Sequence, residues 1–147
     1  MRGKEMQAKK YLLQIRILNH RIERMQRQLE DLNAKKTTFK SPANMQTTAA
    51  GVDREEHLID LIEKTWKYEK MITSRIDELI DMKMRIAEEI NRLDDQRYCD
   101  VLTYRYVLCM QWKDVAEAMN YTENWVKELE QQALTSFAEN VMSRQNW

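Results

Sequence analysis

The sequence predicts an all-α protein: a long antiparallel helical hairpin, similar to a coiled coil, followed by a helix-turn-helix unit. Three observations lead to this fold class. The 147 residues contain only two Gly and one Pro, so few positions favour turns. Residues with high helix propensity are abundant. Two long segments carry apolar residues at helical spacing, and a third matches the pattern of two short helices across a tight turn.

The first predicted helix spans about residues 4–34. Its apolar residues recur every three or four positions over more than three heptads, which is typical of a helix that buries one face. This seam comprises Ala8, Tyr11, Ile15, Leu18, Ile22, Met25, Leu29 and Leu32. A lone helix with such a stripe is not stable in water, so we expect it to have a helical partner.

The second predicted helix, about residues 53–93, follows a polar loop at 36–52. The loop is rich in Thr, Ser and Asn and contains the one Pro. The seam of the second helix comprises Leu58, Leu61, Tyr68, Ile72, Leu79, Met82, Ile86 and Leu93, and further isoleucines widen it. Arg75 and Glu89 stand where a strict heptad would have apolar residues. The pattern therefore indicates a bundle-type face.

Charge is distributed unevenly between these two helices. Residues 1–52 carry eleven Lys and Arg against four Asp and Glu, a net charge of +7. Residues 53–95 carry eight against thirteen, a net charge of −5. Opposite charges favour side-by-side packing, so we expect a hairpin domain over 4–95. The wide apolar face of the second helix further predicts a homo-oligomer that associates through the long helices.

The second predicted domain, residues 96–140, begins after the start signals Asp94 and Asp95. Its first helix is expected over about 96–109. The twenty-residue segment Trp112 to Gln131, which comes shortly after this helix, has the helix-turn-helix pattern. The positions expected to face inward are Val115, Ala116, Met119, Tyr121, Val126 and Leu129. Asn120 stands at the turn, where a positive φ is usual, and Thr122 is the expected N-cap of the second helix.

Several classes of function are disfavoured. No segment approaches eighteen apolar residues, so we expect a cytoplasmic protein without membrane association. Cys99 and Cys109 lack metal-ligand spacing and are interpreted as reduced packing residues. His20 and His57 have no paired ligand, and no Gly-rich phosphate loop occurs. We therefore expect neither an enzyme nor a protein that needs a cofactor or a metal.

Several segments resemble a known family. The runs 105–107, 112–119, 121–123 and 125–127, closed by Ala133-Leu134, look like the sigma-factor domain that reads the promoter −35 element. More closely, the chain resembles small sigma-like transcriptional regulators of phages and prophages in Gram-positive bacteria. Those proteins begin with a helix of the type Tyr-Leu-x-Gln-Ile-Arg, matched at 11–16, and their second helix ends in Leu-Asp-Asp-x-Arg-Tyr, matched at 93–98. The resemblance covers nearly all of residues 8–137 and implies a role in phage gene control.

Outward positions of the second motif helix are the candidate contacts to base edges, because Asn and Gln can pair with adenine and Glu can accept from cytosine. These residues are Thr122, Glu123, Asn124, Lys127, Glu128 and Gln131. The candidate phosphate contacts are Lys113, Arg105 and Arg97, together with Lys127. An ordinary solvated helix face is the alternative interpretation, since the same helix carries Glu128 and Glu130.

Two functions from different classes remain open. The first is a transcriptional regulator that binds double-stranded promoter DNA, alone or together with RNA polymerase. The second is a helical interaction factor, anti-sigma-like or used in phage assembly, whose helix-turn-helix contacts only protein. The family resemblance favours the first, and the acidity around residues 128–132 favours the second because phosphate contacts dominate the affinity of DNA-binding modules.

Overall fold

The computed structural model describes residues 2–39 and 48–145, and this part of the chain is all-helical, without strands. The helices are α1 (Arg2–Leu12), α2 (Gln14–Phe39), α3 (Thr48–Ile90), α4 (Gln96–Leu102), α5 (Trp112–Met119) and α6 (Glu123–Asn140). A π-helical turn, Thr103–Val107, follows α4, and a 3₁₀ turn, Met142–Gln145, follows α6. The predicted all-α class is confirmed.

The first long helix differs from the prediction because it is divided at Leu13. The backbone hydrogen bonds nevertheless continue across the division: Leu13 N–H donates to Lys9 O (2.9 Å), and Ile17 N–H donates to Leu13 O (3.0 Å). Helical structure also enters both ends of the predicted loop at 36–52, since α2 reaches Phe39 and α3 begins at Thr48. The middle of that loop, 40–47, lies outside the described residues.

The chain forms two compact units that do not follow its linear order. Unit 1 comprises Met1–Leu18 and Leu79–Trp147, and unit 2 comprises Asn19–Glu78. The division therefore cuts α2 and α3 and joins the N-terminal helix to the C-terminal residues. The proposed functional domains, 4–95 and 96–140, follow a different division and stay a prediction.

Unit 2 contains α2 from Asn19 onwards and α3 as far as Glu78. Ile22, Met25 and Ile72 of the predicted seams are buried in it. Thr65 is also buried, and its hydroxyl donates to Leu61 O at 2.7 Å, so the polar atom is satisfied within the helix. The Tyr68 hydroxyl donates to the side-chain carbonyl of Gln28, a contact between α3 and α2.

Unit 1 contains the larger apolar core, and α6 lies within it, in contact with α1, α4 and α5. The rings of Tyr11 in α1 and Phe137 in α6 stack with centroids 6.1 Å apart. The fully buried apolar side chains include Leu12, Ile15, Ile86, Ile90, Val101, Leu102, Val115, Leu129 and Leu134. Burial of this many large side chains from several helices fixes the position of α6.

The helix predicted over 96–109 changes its geometry at its end. Leu108 N–H donates to Thr103 O (2.9 Å), five residues back, which is the π-helical spacing. Cys109 then takes a positive φ of 54°, which ends the helix and lets the chain turn towards α5.

Candidate nucleic-acid interface

Helices α5 and α6 are joined by a tight turn at Asn120. This residue has φ 59° and ψ 40°, the left-handed conformation expected from the sequence. Asn120 N–H donates to Glu117 O (3.3 Å), and Tyr121 N–H donates to Ala116 O (3.0 Å). These two bonds satisfy carbonyls at the end of α5 in the pattern of a Schellman motif. The turn therefore holds α5 and α6 in a defined arrangement.

Both helices that follow a predicted cap begin where the sequence indicates. Thr122 Oγ1 accepts a hydrogen bond from Trp125 N–H (3.2 Å) at the start of α6. The Asp95 carboxylate accepts from Arg97 N–H (2.9 Å) at the start of α4. Each bond satisfies a backbone donor that the helix itself leaves without a partner.

The apolar positions between α5 and α6 largely match the prediction. Val115, Ala116, Val126 and Leu129 are buried. Tyr121 differs, because it is 38% exposed instead of facing inward. The residue belongs to the turn, and its ring rests edge-on against Trp125 with centroids 6.4 Å apart, which keeps it at the surface.

All six candidate base-contacting residues are exposed: Thr122, Glu123, Asn124, Lys127, Glu128 and Gln131. Five of them, from Glu123 onwards, lie within about 140° of the α6 circumference at 3.6 residues per turn. This surface is opposite the face that buries Val126 and Leu129. The first three turns of α6 therefore present one continuous polar face to solvent.

The four candidate phosphate-contacting residues have different surroundings. Lys113 and Lys127 are exposed. The Arg97 guanidinium forms an ion pair with Asp95, Nη2 to Oδ2 3.0 Å, an exposed pair of the kind that contributes little to stability. Arg105 is half-buried: Nη1 donates to Met110 O (2.8 Å), and the guanidinium lies 4.3 Å from the centre of the Trp112 ring.

These contacts give Arg105 and Trp112 a structural role. The guanidinium binds a carbonyl in the irregular segment after the π-turn and stacks on the first residue of α5. Burial lowers the pKa of Arg105, and nearby Arg16 lowers it further, yet the group remains charged because its ordinary pKa is above 12. Among the four cations, Lys113 and Lys127 are those most available to a phosphate.

Glu130 is the residue whose environment the sequence interpretation missed. It is only 2% exposed and therefore does not contribute to the outer face of α6. Burial raises the pKa of its carboxyl group, while Lys9, Arg105 and the Tyr106 hydroxyl act in the opposite direction. The sequence did contain a signal, since Val126, Glu130, Ala133 and Phe137 are spaced as one helix face.

Tyr106 lies beside this carboxyl group and is almost completely buried. Its hydroxyl makes no hydrogen bond of good geometry. Burial, followed by the charge of Glu130, raises the pKa of Tyr106, so the phenol stays protonated at neutral pH. Glu130 therefore belongs to a buried polar cluster behind the candidate interface.

The candidate interface carries both signs of charge, with one more carboxylate than lysine. On the outer face of α6, Lys127 stands with Glu123 and Glu128, and Lys113 of α5 is followed by Asp114. Residues 96–147 carry five Lys and Arg against seven Asp and Glu, a net charge of −2. With Glu130 buried, the outer face is less acidic than the sequence of α6 suggests, but it is not a basic surface.

Residues 2–39 and 48–145 contain no cluster of three or more His, Cys, Asp or Glu side chains arranged to hold a metal ion. In the same residues, no helix has the length and apolarity to cross a membrane. Cys99 is buried, and its thiol donates to Leu93 O at 3.4 Å, so it packs beneath the start of α4. Comparison with known proteins found no matching family model, no similar curated protein and no similar solved structure.

Proposed function

We propose that the protein is a sigma-like transcriptional regulator that binds double-stranded promoter DNA, alone or together with RNA polymerase. In this proposal α5 and α6 form a helix-turn-helix, and α6 is the recognition helix. The observation that carries it is the polar outer face of α6, which begins directly after the capped turn at Asn120 and Thr122. Recognition helices contact base edges with this N-terminal part.

The side chains on that face have the chemistry for reading a major groove. Asn124 and Gln131 can each donate to and accept from adenine, and Glu123 can accept from the amino group of cytosine. Lys127 lies on the same exposed face and supplies a phosphate contact. Gln131 Nε2 donates to Glu130 at 3.3 Å, a hydrogen bond that contact with adenine would have to replace.

The net charge of the C-terminal residues supports a binding mode in which the helix-turn-helix is not the only contact that holds the protein on DNA. Phosphate contacts provide most of the affinity of DNA-binding modules, and the C-terminal residues are net acidic. RNA polymerase, or a second copy of the chain, would supply the additional affinity. Specificity would still come from α6, because base readout and phosphate affinity reside in different contacts.

The remainder of the chain is proposed to be an antiparallel hairpin of the long helices that also mediates self-association. The Tyr68–Gln28 hydrogen bond and the burial of Ile22, Met25 and Ile72 support pairing of α2 with α3 in unit 2. The Tyr11–Glu89 hydrogen bond supports pairing of α1 with the end of α3 in unit 1. A cytoplasmic location follows from the proposed role at promoters.

The alternative is a helical interaction factor of the anti-sigma or phage-assembly type, whose helix-turn-helix contacts only protein. The slightly acidic α6 face favours this alternative, since protein partners do not require a basic surface. The two proposals differ in one outcome. Only the regulator requires that Asn124 and Lys127 affect binding to DNA.

The deciding experiment is to sequence the DNA that crosslinks to the tagged protein in its host, for the wild type and for Asn124→Ala. Asn140→Ala is the matched control, because Asn140 is an exposed Asn at the opposite end of α6, hydrogen-bonded to Ser136. We expect the wild type and the control to enrich the same promoters, and Asn124→Ala to lose them. Equal promoter enrichment by all three proteins, or enrichment by none, would favour the protein-only alternative.

A further inference from the structure

Helix α3 carries a second apolar face within unit 2. Ile59, Ile62 and Trp66 are 57%, 41% and 54% exposed, and their spacing of three and four residues places them on one side of the helix. We call these three residues the Trp66 stripe. Exposed apolar groups in a row, rather than scattered singly, are typical of an interaction surface.

The Trp66 stripe is distinct from the face that packs inside unit 2. Thr65 and Ile72 are the buried residues on this part of α3. At 3.6 residues per turn, the stripe is centred about 100° around the helix from them. The packing within unit 2 therefore leaves the stripe uncovered.

The charges beside the stripe differ between its two ends. At 3.6 residues per turn, one flank of the stripe carries Glu56 before it and Glu63 at its middle. The same flank carries Lys70 after the stripe, and Glu69 follows the stripe on its other side. The Lys64–Asp60 pair is formed within the helix at 2.8 Å, whereas Lys70 Nζ lies 3.8 Å from the centre of the Trp66 ring.

This arrangement is complementary to itself when one copy is reversed. Antiparallel juxtaposition brings Glu56 of one copy against Lys70 of the other, once at each end of the stripe. A parallel arrangement would place like charges together, which is unfavourable. The Glu56–Lys70 match is the observation that favours a second, antiparallel copy of this helix.

We propose that a second copy of this chain docks on the Trp66 stripe as an antiparallel, two-fold symmetric helix pair. Ile62 of each copy lies opposite Trp66 of the other, and Ile59 lies opposite Glu69. In an antiparallel coiled-coil register with these core pairs, Glu56 flanks Lys70 of the other copy on both sides of the axis. The proposal specifies the surface for the self-association proposed above and does not depend on DNA binding.

The same register has a consequence at its centre. Glu63 falls close to the two-fold axis, so the two Glu63 carboxylates approach each other. Like charges at this position weaken the pair. Glu63→Gln should therefore tighten association, which a non-symmetric contact or an unrelated partner would not predict.

The first test is sedimentation equilibrium of the full chain without DNA, over about 1–100 µM, a range that covers weak dimers. We expect the wild type to dimerise and Ile62→Glu to weaken dimerisation by at least about tenfold. Met71→Glu is the matched control, because Met71 is 49% exposed on the same helix but lies off the stripe. Circular dichroism of each variant establishes that it is folded.

The second test uses charge reversal and needs no apolar substitution. Glu56→Lys and Lys70→Glu should each weaken self-association, since each places like charges together twice in the symmetric pair. An equimolar mixture of the two variants should restore dimerisation, because both flanking pairs then have opposite charges. The proposed interface would be overturned if the mixture did not recover dimerisation and Ile62→Glu dimerised as strongly as the wild type.

A wild type that stays monomeric over the whole range would also overturn it. Asn124→Ala, measured in the same way, should dimerise normally whether or not the protein reads DNA. Loss of DNA binding in that variant with intact dimerisation would therefore separate failure of one proposal from failure of the other.

Discussion

The Tyr11 hydroxyl donates a hydrogen bond to the Glu89 carboxylate across 78 residues of sequence. Both side chains are buried, and the contact joins α1 to the end of α3 within unit 1. Burial raises the pKa of Tyr11 to about 12, with Glu89 adding to the effect and Arg85 opposing it. Glu89 occupies a seam position where an apolar residue was expected, and Tyr11 is the donor that makes a carboxylate tolerable there.

Removing the Tyr11 hydroxyl should destabilise the protein. Tyr11→Phe keeps the ring that stacks on Phe137 but leaves the buried Glu89 without this donor, at a cost of about 1–3 kcal/mol in the free energy of unfolding. Urea denaturation measures the change. In the Glu89→Leu background, Tyr11→Phe should cost much less, and equal costs in both backgrounds would show that the hydrogen bond is not the cause.

The conformation of Asn120 should determine which residues the turn accepts. Its φ is 59°, a region that Gly adopts freely and that β-branched residues avoid. We expect Asn120→Gly to leave the melting temperature close to that of the wild type, and Asn120→Val to lower stability by about 1–2 kcal/mol. Similar stabilities for the two variants would contradict the left-handed turn.

Burial of Glu130 should make stability depend on pH. Its folded-state pKa is raised, so folding favours the protonated carboxyl group. Its contribution is therefore most favourable below the unfolded-state pKa of about 4.3 and is lost as pH rises through the folded-state value. Glu130→Gln should be more stable than the wild type at pH 7, and the difference should shrink as pH falls towards 4. The exposed neighbour Glu128→Gln is the control and should show no such trend.

Asn124 should contribute to specificity. Asn124→Ala should weaken binding to the preferred promoter fragment by about 1–3 kcal/mol and relax discrimination at one base pair. Fluorescence anisotropy with matched and single-base-changed fragments measures both effects, with and without RNA polymerase. An unchanged preference in both settings would argue against base readout by this residue.

Lys127 should contribute to the affinity for DNA whatever the base sequence of the DNA. Lys127→Ala should weaken specific and non-specific binding to a similar degree and reduce the salt slope by about one. Lys35→Ala is a suitable control, because Lys35 is an exposed lysine in unit 2 that pairs with Asp31 at 3.2 Å. A salt slope that falls equally in both variants would indicate a general charge effect and not a phosphate contact at α6.

Much of the local structure could be predicted because its causes are local. The turn was predicted from Asn120, a residue type that tolerates the left-handed conformation, between two amphipathic segments. The cap was predicted from the hydroxyl of Thr122 directly before the second segment. The exposure of the five candidates on α6 followed from helical periodicity alone. The position of Tyr121 did not, because the turn at Asn120 leaves this residue at the surface, where its ring meets that of Trp125 edge-on.

The sequence by itself determined the all-α class, the caps and the exposed face of α6, since each depends on residues within one or two helical turns of one another. Only the tertiary structure decided that α1 packs on α6, that Tyr11 supports Glu89, and that Tyr106 lies beside the buried Glu130 carboxyl group. These relationships join residues far apart in the chain. A one-dimensional pattern indicates which face of a helix is buried, but the partner that covers it depends on how all the faces pack together.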